Sequence, residues 1–327
     1  MTPSSHSVSV VAGGAGFIGA TLCGRLLDEG KVVVAVDNFS RGQRDYLSGV
    51  GADERFHLVQ ADLAVREQTV AAFSTAARFG QVIEVWHLAA NSDIPAGVAD
   101  ADVDLKDTFL TTVEILRAMK AHAVGVIYFA SSSAIYGDLG ETELHESIGP
   151  LLPISNYGAM KLASEALISA AAESHLSKAC LFRFPNVVGV PATHGVILDF
   201  VNKLIASPEV LHVLGDGTQQ KAYLHVSDLV SAMLAIRARD LTTKVEVVNI
   251  GPLDQGVTVK WIAEQVVARV RPGAAIQFGS GNKGWVGDVP KFNYSTAKLQ
   301  SYGWQPVLGS VQAIQRAVDE VALQRQQ

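Results

Sequence analysis

The apolar run Val8–Val11 leads at once into Gly13-Gly14-Ala15-Gly16-Phe17-Ile18-Gly19, and a helix-like pattern opens at Phe17. A strand that turns through spaced glycines straight into a helix leaves few architectures open. Glycines 13, 16 and 19 permit a tight turn, close approach of backbone to a pyrophosphate, and close helix–strand packing. The phosphate belongs on the helix N-terminus, where unpaired N–H groups and the macrodipole favour negative charge. The same strand–helix rhythm then repeats. Val32–Val36, Phe56–Gln60, Val82–His87 and Val126–Ala130 are short apolar runs. Between them, residues near 65–78 and 102–119 carry apolar side chains at helical spacing, among them Leu105, Phe109, Val113 and Leu116. Ser155 is placed to cap a helix running to about Glu173, with a strand at Ala179–Phe184 beyond it. Strands buried on both faces read as continuous apolar runs, so the expected class is α/β, a doubly wound parallel sheet of the Rossmann type.

After about Gly189 the rhythm changes, and turn-rich stretches such as Gly215-Asp216-Gly217 and Gly279–Gly287 interrupt short elements. The expected organisation is a dinucleotide-binding domain over 1–189 and a smaller C-terminal α/β substrate domain over 190–327. Val245–Ile250 is expected to return to the first sheet. A length of 327 residues suits two domains. The charge balance of 26 basic against 32 acidic residues, −6 net, provides no basic footprint for nucleic acid. With 48% hydrophobic and 18% charged residues the chain is not disordered. No run approaches the ~20 apolar residues of a membrane span, and the first residues lack the basic region of a signal peptide. Cys23 and Cys180 lie far apart in apolar segments, a reducing-compartment pattern that points to the cytoplasm. No metal site is expected.

Asp37 ends the second run, 18 residues beyond Gly19. A carboxylate there accepts hydrogen bonds from the adenosine ribose hydroxyls and repels a 2′-phosphate, which favours NAD over NADP. The alternative for Asp37, with Asn38 beside it, is a strand-end turn. Asp62-Leu63 follows the third run, where Asp62 is placed to meet the adenine amino group. His87-Leu88-Ala89-Ala90 follows the fourth, and the small Ala89 and Ala90 let backbone approach the cofactor. A strand-end histidine with its hydrogen bonds satisfied is the expected role of His87. The cofactor-binding set is therefore Gly13, Gly16, Phe17, Ile18, Gly19, Asp37, Asn38, Asp62, Leu63, Leu88, Ala89 and Ala90, joined by Tyr157 and Lys161.

Ser131-Ser132-Ser133-Ala134-Ile135-Tyr136-Gly137 follows the fifth run, and Tyr157-Gly158-Ala159-Met160-Lys161 lies on the next helix. Tyr157 and Lys161 are four apart, hence on one helix face with Cβ atoms about 5–6 Å apart. A free phenol has a pKa near 10 and is a poor base at neutral pH. A neighbouring ammonium and the positive nicotinamide ring both favour the phenolate, so its pKa is expected to fall.

Taken together and in order, these motifs resemble the extended short-chain dehydrogenase/reductase family, within it the nucleotide-sugar epimerases, over nearly the whole chain. The resemblance implies that Tyr157 removes a sugar hydroxyl proton, that Lys161 also binds the nicotinamide ribose, and that Ser132 is the hydroxyl donor, with Ser131 or Ser133 as alternatives in register. It implies NAD as cofactor and a UDP-hexose (UDP-glucose, UDP-galactose or UDP-glucuronate) epimerised at C4. The alternative is a 4-keto-reductase or dehydrogenase with net NAD(H) turnover. Dehydratases of the family carry an Asp-Glu pair where this chain has Ser133-Ala134, and a methyl side chain supplies neither acid nor base. The resemblance places Ser132, Ser133, Asn186, Val196, Lys221, Trp285 and Asp288 against the substrate. Two of these depart from the pattern, since Lys221 and Trp285 stand where the family carries diphosphate-binding arginines. Lysine keeps the charge and loses the bidentate fork. Asn186 has a turn-stabilising alternative, and Phe292 falls where a bulky aromatic limits N-acetylated substrates. Homodimerisation through the helices near 102–119 and 155–173 is also implied.

Overall fold

The structure is a computed structural model, and it describes residues 7–281 and 293–326. The apolar runs become strands that the surrounding helices bury. In chain order the first unit contains β1 (Ser7–Ala12), α1 (Phe17–Asp28), β2 (Val32–Asp37), β3 (Phe56–Gln60), α2 (Arg66–Ala76), β4 (Gln81–His87), α3 (Ile94–Ala99), α4 (Ala101–Asp104), a π-helical turn (Leu105–Leu110), α5 (Thr111–Ala121), β5 (Val126–Ala130) and α6 (Asn156–Ala172). Strands Lys178–Arg183 and Val245–Asn249 complete its sheet.

From one edge, the strand order is Val245–Asn249, Lys178–Arg183, β5, β4, β1, β2, β3. The pairings of the last six are all parallel. Every residue of β2 is buried, as a strand covered on both faces requires. The chain runs outward from β1 to β3 and then crosses to β4 on the other side of β1, so the order reverses between β1 and β4. Ligands of doubly wound sheets bind at that reversal, beyond the carboxyl ends of the strands. Val245–Asn249 forms the edge strand beside Lys178–Arg183.

The helix expected across 102–119 is the element that differs. Its apolar positions predict that Leu105 faces the core, yet Leu105 is 42% exposed, and Asp104 and Thr108 are buried in its place. The π-helical turn explains this. An i→i+5 turn inserts one residue into the helix and rotates the buried stripe, so Asp104 and Thr108 share the inner face with Thr111, Thr112, Ile115 and Met119.

The chain divides into two compact units. The first comprises the residues up to Ile135, Ser155–Arg183 and Arg239–Val248; the second comprises Tyr136–Ile154, Phe184–Ala238 and the chain from Asn249. The second unit has its own core, in which Phe200, Leu204, Ile262, Val266, Ile314 and Val318 pack helices Val196–Ala206, Val259–Val270 and Ser310–Gln324 together. Among the described residues, no helix is long and apolar enough to cross a membrane, and Cys23 and Cys180 are free and buried.

The turn between β1 and α1 is fixed by close backbone contacts. Gly13 has φ +79°, and a Cβ at Gly19 would lie 2.1 Å from the Gly13 carbonyl oxygen and 2.8 Å from the Gly14 Cα. Backbone atoms on both sides leave no room for it. Gly19→Ala should therefore cost about 1–3 kcal/mol, the usual range for overpacking. Gly49→Ala is the control, since a Cβ there meets nothing within 4 Å. Urea unfolding of the two variants checks this, with the loss expected in Gly19→Ala alone.

Candidate active site

At the sheet reversal, the Gly-rich turn faces the loop after β4. A Cβ on Gly13 would sit 2.8 Å from the Ala89 backbone nitrogen, so only a bare backbone fits there. Leu88 N–H donates to the Ala12 carbonyl at 2.9 Å, which fixes the start of that loop. No side chain caps α1 at Gly16, leaving its first N–H groups to an anion. Phe17 and Ile18 occupy its first turn.

Asp37 is 7% exposed. Its Oδ2 accepts the Ala15 N–H at 3.0 Å and its Oδ1 the Phe39 N–H at 2.8 Å. Burial raises its pKa against those two hydrogen bonds. The carboxylate thus holds the Gly-rich turn itself, and its remaining lone pairs are what it has for ribose hydroxyls. Asn38 accepts the Ser40 N–H at 3.0 Å across an exposed turn. Asp62 accepts the Ala64 N–H at 3.0 Å and pairs with Lys106 at 3.1 Å. Leu63 is buried in the core. An uncapped helix N-terminus, a carboxylate at the end of β2 and a bare-backbone contact at the reversal are together suited to a dinucleotide.

Beyond β5, three consecutive serines separate into different roles. Ser131 donates to Glu165 Oε1 at 2.5 Å. Glu165 also takes a bidentate pair from Arg183, at 3.0 Å from Nε and 2.7 Å from Nη2, with both side chains nearly inaccessible. Ser133 is buried at the start of a 3₁₀ turn, Ser133–Tyr136. Ser132 accepts the Ala134 N–H at 3.1 Å, and its hydroxyl is the side-chain group that holds the Tyr157 phenol down against burial. Ser131 is committed to Glu165, and of the three serines it is Ser132 that bears on the tyrosine's pKa.

Helix α6 is capped by Ser155, which accepts the Gly158 N–H. It presents Tyr157, Lys161, Ser164 and Glu165 to the sheet. Lys161 is 2% exposed. Its Nζ donates to the Ala130 carbonyl at 2.6 Å and lies 4.7 Å from the centroid of the Phe129 ring and 5.8 Å from that of Tyr157. Burial pushes the ammonium down to about 7 against the carboxylates of Glu165 and Asp104. The expected fall of the phenol pKa is not found in the protein alone. Burial pushes Tyr157 up to about 12, the Ser132 hydrogen bond opposes this, and Asp104 adds to it. The reason is that one burial disfavours both ions, phenolate and ammonium alike.

His87 behaves as a satisfied strand-end histidine through one nitrogen. Its Nε2 meets Thr112 Oγ1 at 2.8 Å, and Thr112 continues to Ser164 at 3.0 Å. Its Nδ1 is buried without a partner, and burial holds its pKa well below the usual value. Glu165 and Asp104 escaped the sequence reading, although Glu165 carries a signal: it lies four residues beyond Lys161 on the same face.

Three expected substrate residues lie in the second unit. Asn186 is exposed in strand Asn186–Val188, paired in parallel with Tyr223–His225. Val196 opens its helix behind Gly195, which has φ +104°. Lys221 is 9% exposed, and a Cβ at Gly256 would lie 1.8 Å from its carbonyl oxygen. Trp285 and Asp288, with Lys283 and Phe292, lie outside the described residues.

A doubly wound sheet with a glycine turn at its reversal, and a serine–tyrosine–lysine cluster beyond β5, defines a dinucleotide-dependent enzyme class. Residues 9–251 match the NAD dependent epimerase/dehydratase family, and the chain belongs to it. A putative UDP-glucose 4-epimerase of Methanocaldococcus jannaschii is 27% identical over 95% of this chain and 97% of its own. The UDP-glucose 4-epimerase of Lacticaseibacillus casei is 30% identical over 74% of this chain and 75% of its own. Among solved structures, a UDP-galactose 4-epimerase superposes with a TM-score of 0.83 at 32% identity, covering 97% of this chain and 99% of that one. The Thermus thermophilus UDP-glucose 4-epimerase, solved with NAD, superposes at 0.82 with 28% identity, over 96% and 98% of the two chains.

The lowered Lys161 pKa has a stability consequence. Between about 7 and the ordinary lysine value of 10.5, the unfolded chain holds a proton at this position that the folded chain has released. Stability therefore rises with pH across that window. In the cofactor-free protein, urea unfolding between about pH 7 and 10 should show this rise relative to Lys161→Met. Parallel curves for the two proteins would place the ammonium in solvent.

Proposed function

We propose that the protein is an NAD-dependent nucleotide-sugar 4-epimerase acting on a UDP-hexose, with Ser132, Tyr157 and Lys161 as its catalytic residues. The observation that carries the reading is the buried Lys161 ammonium 5.8 Å from the Tyr157 ring centroid, with Ser132 bearing on the phenol, in a chain whose relatives along its length are UDP-glucose 4-epimerases. Tyr157 takes the proton of the C4 hydroxyl and later returns it. Ser132 hydrogen-bonds the same oxygen and helps stabilise the phenolate. Lys161 adds positive charge beneath the phenol and holds the nicotinamide ribose. NAD, when bound, would supply reversible hydride acceptance at C4 and a positive ring that further favours the Tyr157 phenolate. Gly13 and Gly16 admit the pyrophosphate to the α1 N-terminus, and Asp37 receives the adenosine ribose.

Asn186, Val196 and Lys221 are read as substrate contacts, with Lys221 neutralising the diphosphate as a point charge. A homodimer through α5 and α6 is supported by the small exposed residues Ala166, Ser169 and Ala170 on α6. A cytoplasmic location is supported by the two free, buried cysteines.

Purified protein incubated with UDP-glucose, UDP-galactose and UDP-glucuronate without added NAD should invert C4 of at least one of them. Failure with all three, NAD being shown by mass spectrometry to be bound, removes the reading. Tyr157→Phe should retain the fold and bound NAD while losing about 10²–10⁴ in turnover, the usual share of acid–base catalysis. Asp37→Ala should weaken NAD binding and narrow its preference over NADP, as measured by titration with both dinucleotides.

A further inference from the structure

Asp104, at the end of α4, is fully buried, yet the proposed chemistry gives it no task. Its Oδ1 accepts the Asn91 side-chain amide at 2.9 Å and meets Thr108 Oγ1 at 3.5 Å. Its Oδ2 has no hydrogen-bond partner, and no cation pairs with the carboxyl among the described residues. A buried carboxyl left half-unpartnered costs free energy that a purely structural role does not return.

The carboxyl lies against α3, which is itself hydrogen-bonded to the catalytic helix. Gly97 of α3 is the only residue type that tolerates it, because a Cβ there would fall 1.8 Å from Asp104 Oδ2. The Gly97 carbonyl in turn accepts the side-chain amide of Asn156 at 2.9 Å. Asn156 directly precedes Tyr157. Asn91, the donor to Asp104, is itself fixed by Asp93, whose carbonyl takes its amide at 2.9 Å and whose N–H reaches its Oδ1 at 2.8 Å. The carboxyl is therefore locked from three sides.

Lys161 feels two carboxylates, Glu165 and Asp104, and Tyr157 feels the second. Glu165 is already neutralised by the bidentate Arg183. The other charged or titratable groups around Asp104 do not cancel it. Asp107 adds like charge, Lys106 is drawn to Asp62, Asp93 is paired with Arg41, and His87 is held neutral by its burial. Asp104 thus has no ion-pair partner among the described residues; burial raises its pKa, while the Asn91 and Thr108 hydrogen bonds and the charge of Lys161 hold it down.

We propose that Asp104 is a positioning residue that acts through Lys161, its fixed carboxylate supplying the counter-charge that keeps the lysine protonated and sets the pH range in which the Tyr157–Lys161 pair exchanges its proton. The inference rests on the assignment of that pair to catalysis. Tyrosine and lysine in contact titrate as a unit, and removing a nearby negative charge makes every proton release from that unit easier. Both limbs of its titration must then move to lower pH.

The test is Asp104→Asn, which keeps shape and removes charge. Asp104→Ser is a second neutral replacement that leaves space beside Gly97, and it carries the test if the amide fails to fold. Two readouts are taken on NAD-loaded protein. One is the pH profile of kcat/KM for C4 inversion. The other is the ultraviolet titration of the Tyr157 phenol, taken as the difference from Tyr157→Phe in each background. Both should move down by about one pH unit, the lower end of the range for loss of a neighbouring charge. An unmoved titration in the folded variants, with only turnover or thermal stability reduced, overturns the proposal and leaves Asp104 a packing residue. If the parent inverts no nucleotide sugar, the assignment to epimerisation fails, while the phenol titration still decides whether Asp104 tunes the pair.

Discussion

The first unit is arranged around an ammonium that has been taken out of water. Lys161 is held by the carbonyl that ends β5 and by the face of Phe129 in the same strand. An isolated buried charge costs several kcal/mol even after relaxation, and the protein meets that cost with hydrogen bonds and counter-charges or by releasing the proton. Here all three are visible. The carbonyl takes one N–H, Glu165 and Asp104 stand near, and the pKa still falls to about 7. A lysine poised there is sensitive to any further charge that enters the site, and a cationic dinucleotide is such a charge. The surrounding structure follows from this need: β5 must end at Ala130, the serine turn must begin there, and α6 must lie close enough for a long side chain to reach back to the strand.

Most of this frame was legible in the sequence because its physics is periodic or compositional. Phe56–Gln60 and Val126–Ala130 were strands by apolar run alone, and both stand with the same bounds. Ser155 capped its helix as a serine before a helical pattern should. The glycine turn was legible since only glycine tolerates the contacts at positions 13 and 19. Tyr157 and Lys161 were legible by spacing. Which serine meets the tyrosine was not, because three identical residues in a row carry no register. It is decided by tertiary contact: Glu165 claims Ser131, and Ser132 is left to face the phenol.

Charge states were the least legible part. Spacing places an amine near a phenol but says nothing of how much water reaches either. An exposed pair would have lowered the phenol pKa; the buried pair raises it to about 12 while lowering the lysine. The sign was set by desolvation, a property of the packed protein that no local motif encodes. The same holds for Asp104, which reads as one acid among several in Asp100-Ala101-Asp102-Val103-Asp104. Asp100 and Asp102 are exposed, and only the fold tells them from the third.

What singles out Asp104 is the π-helical turn that follows it. In an unbroken α-helix, Leu105 and Phe109 extend the apolar stripe of Val113 and Leu116. The extra residue of Leu105–Leu110 resets that stripe, exposing Leu105 and carrying Asp104 and Thr108 inward. The same turn sends Lys106 outward to Asp62, at the carboxyl end of β3, where adenine is expected. One local irregularity thus turns a carboxyl inward and a lysine outward to Asp62. π-turns are less favourable than the α-helix they interrupt and recur at functional sites. The polar residues it turns inward are the ones an apolar core would exclude, and here they are held by hydrogen bonds to Asn91 and to each other.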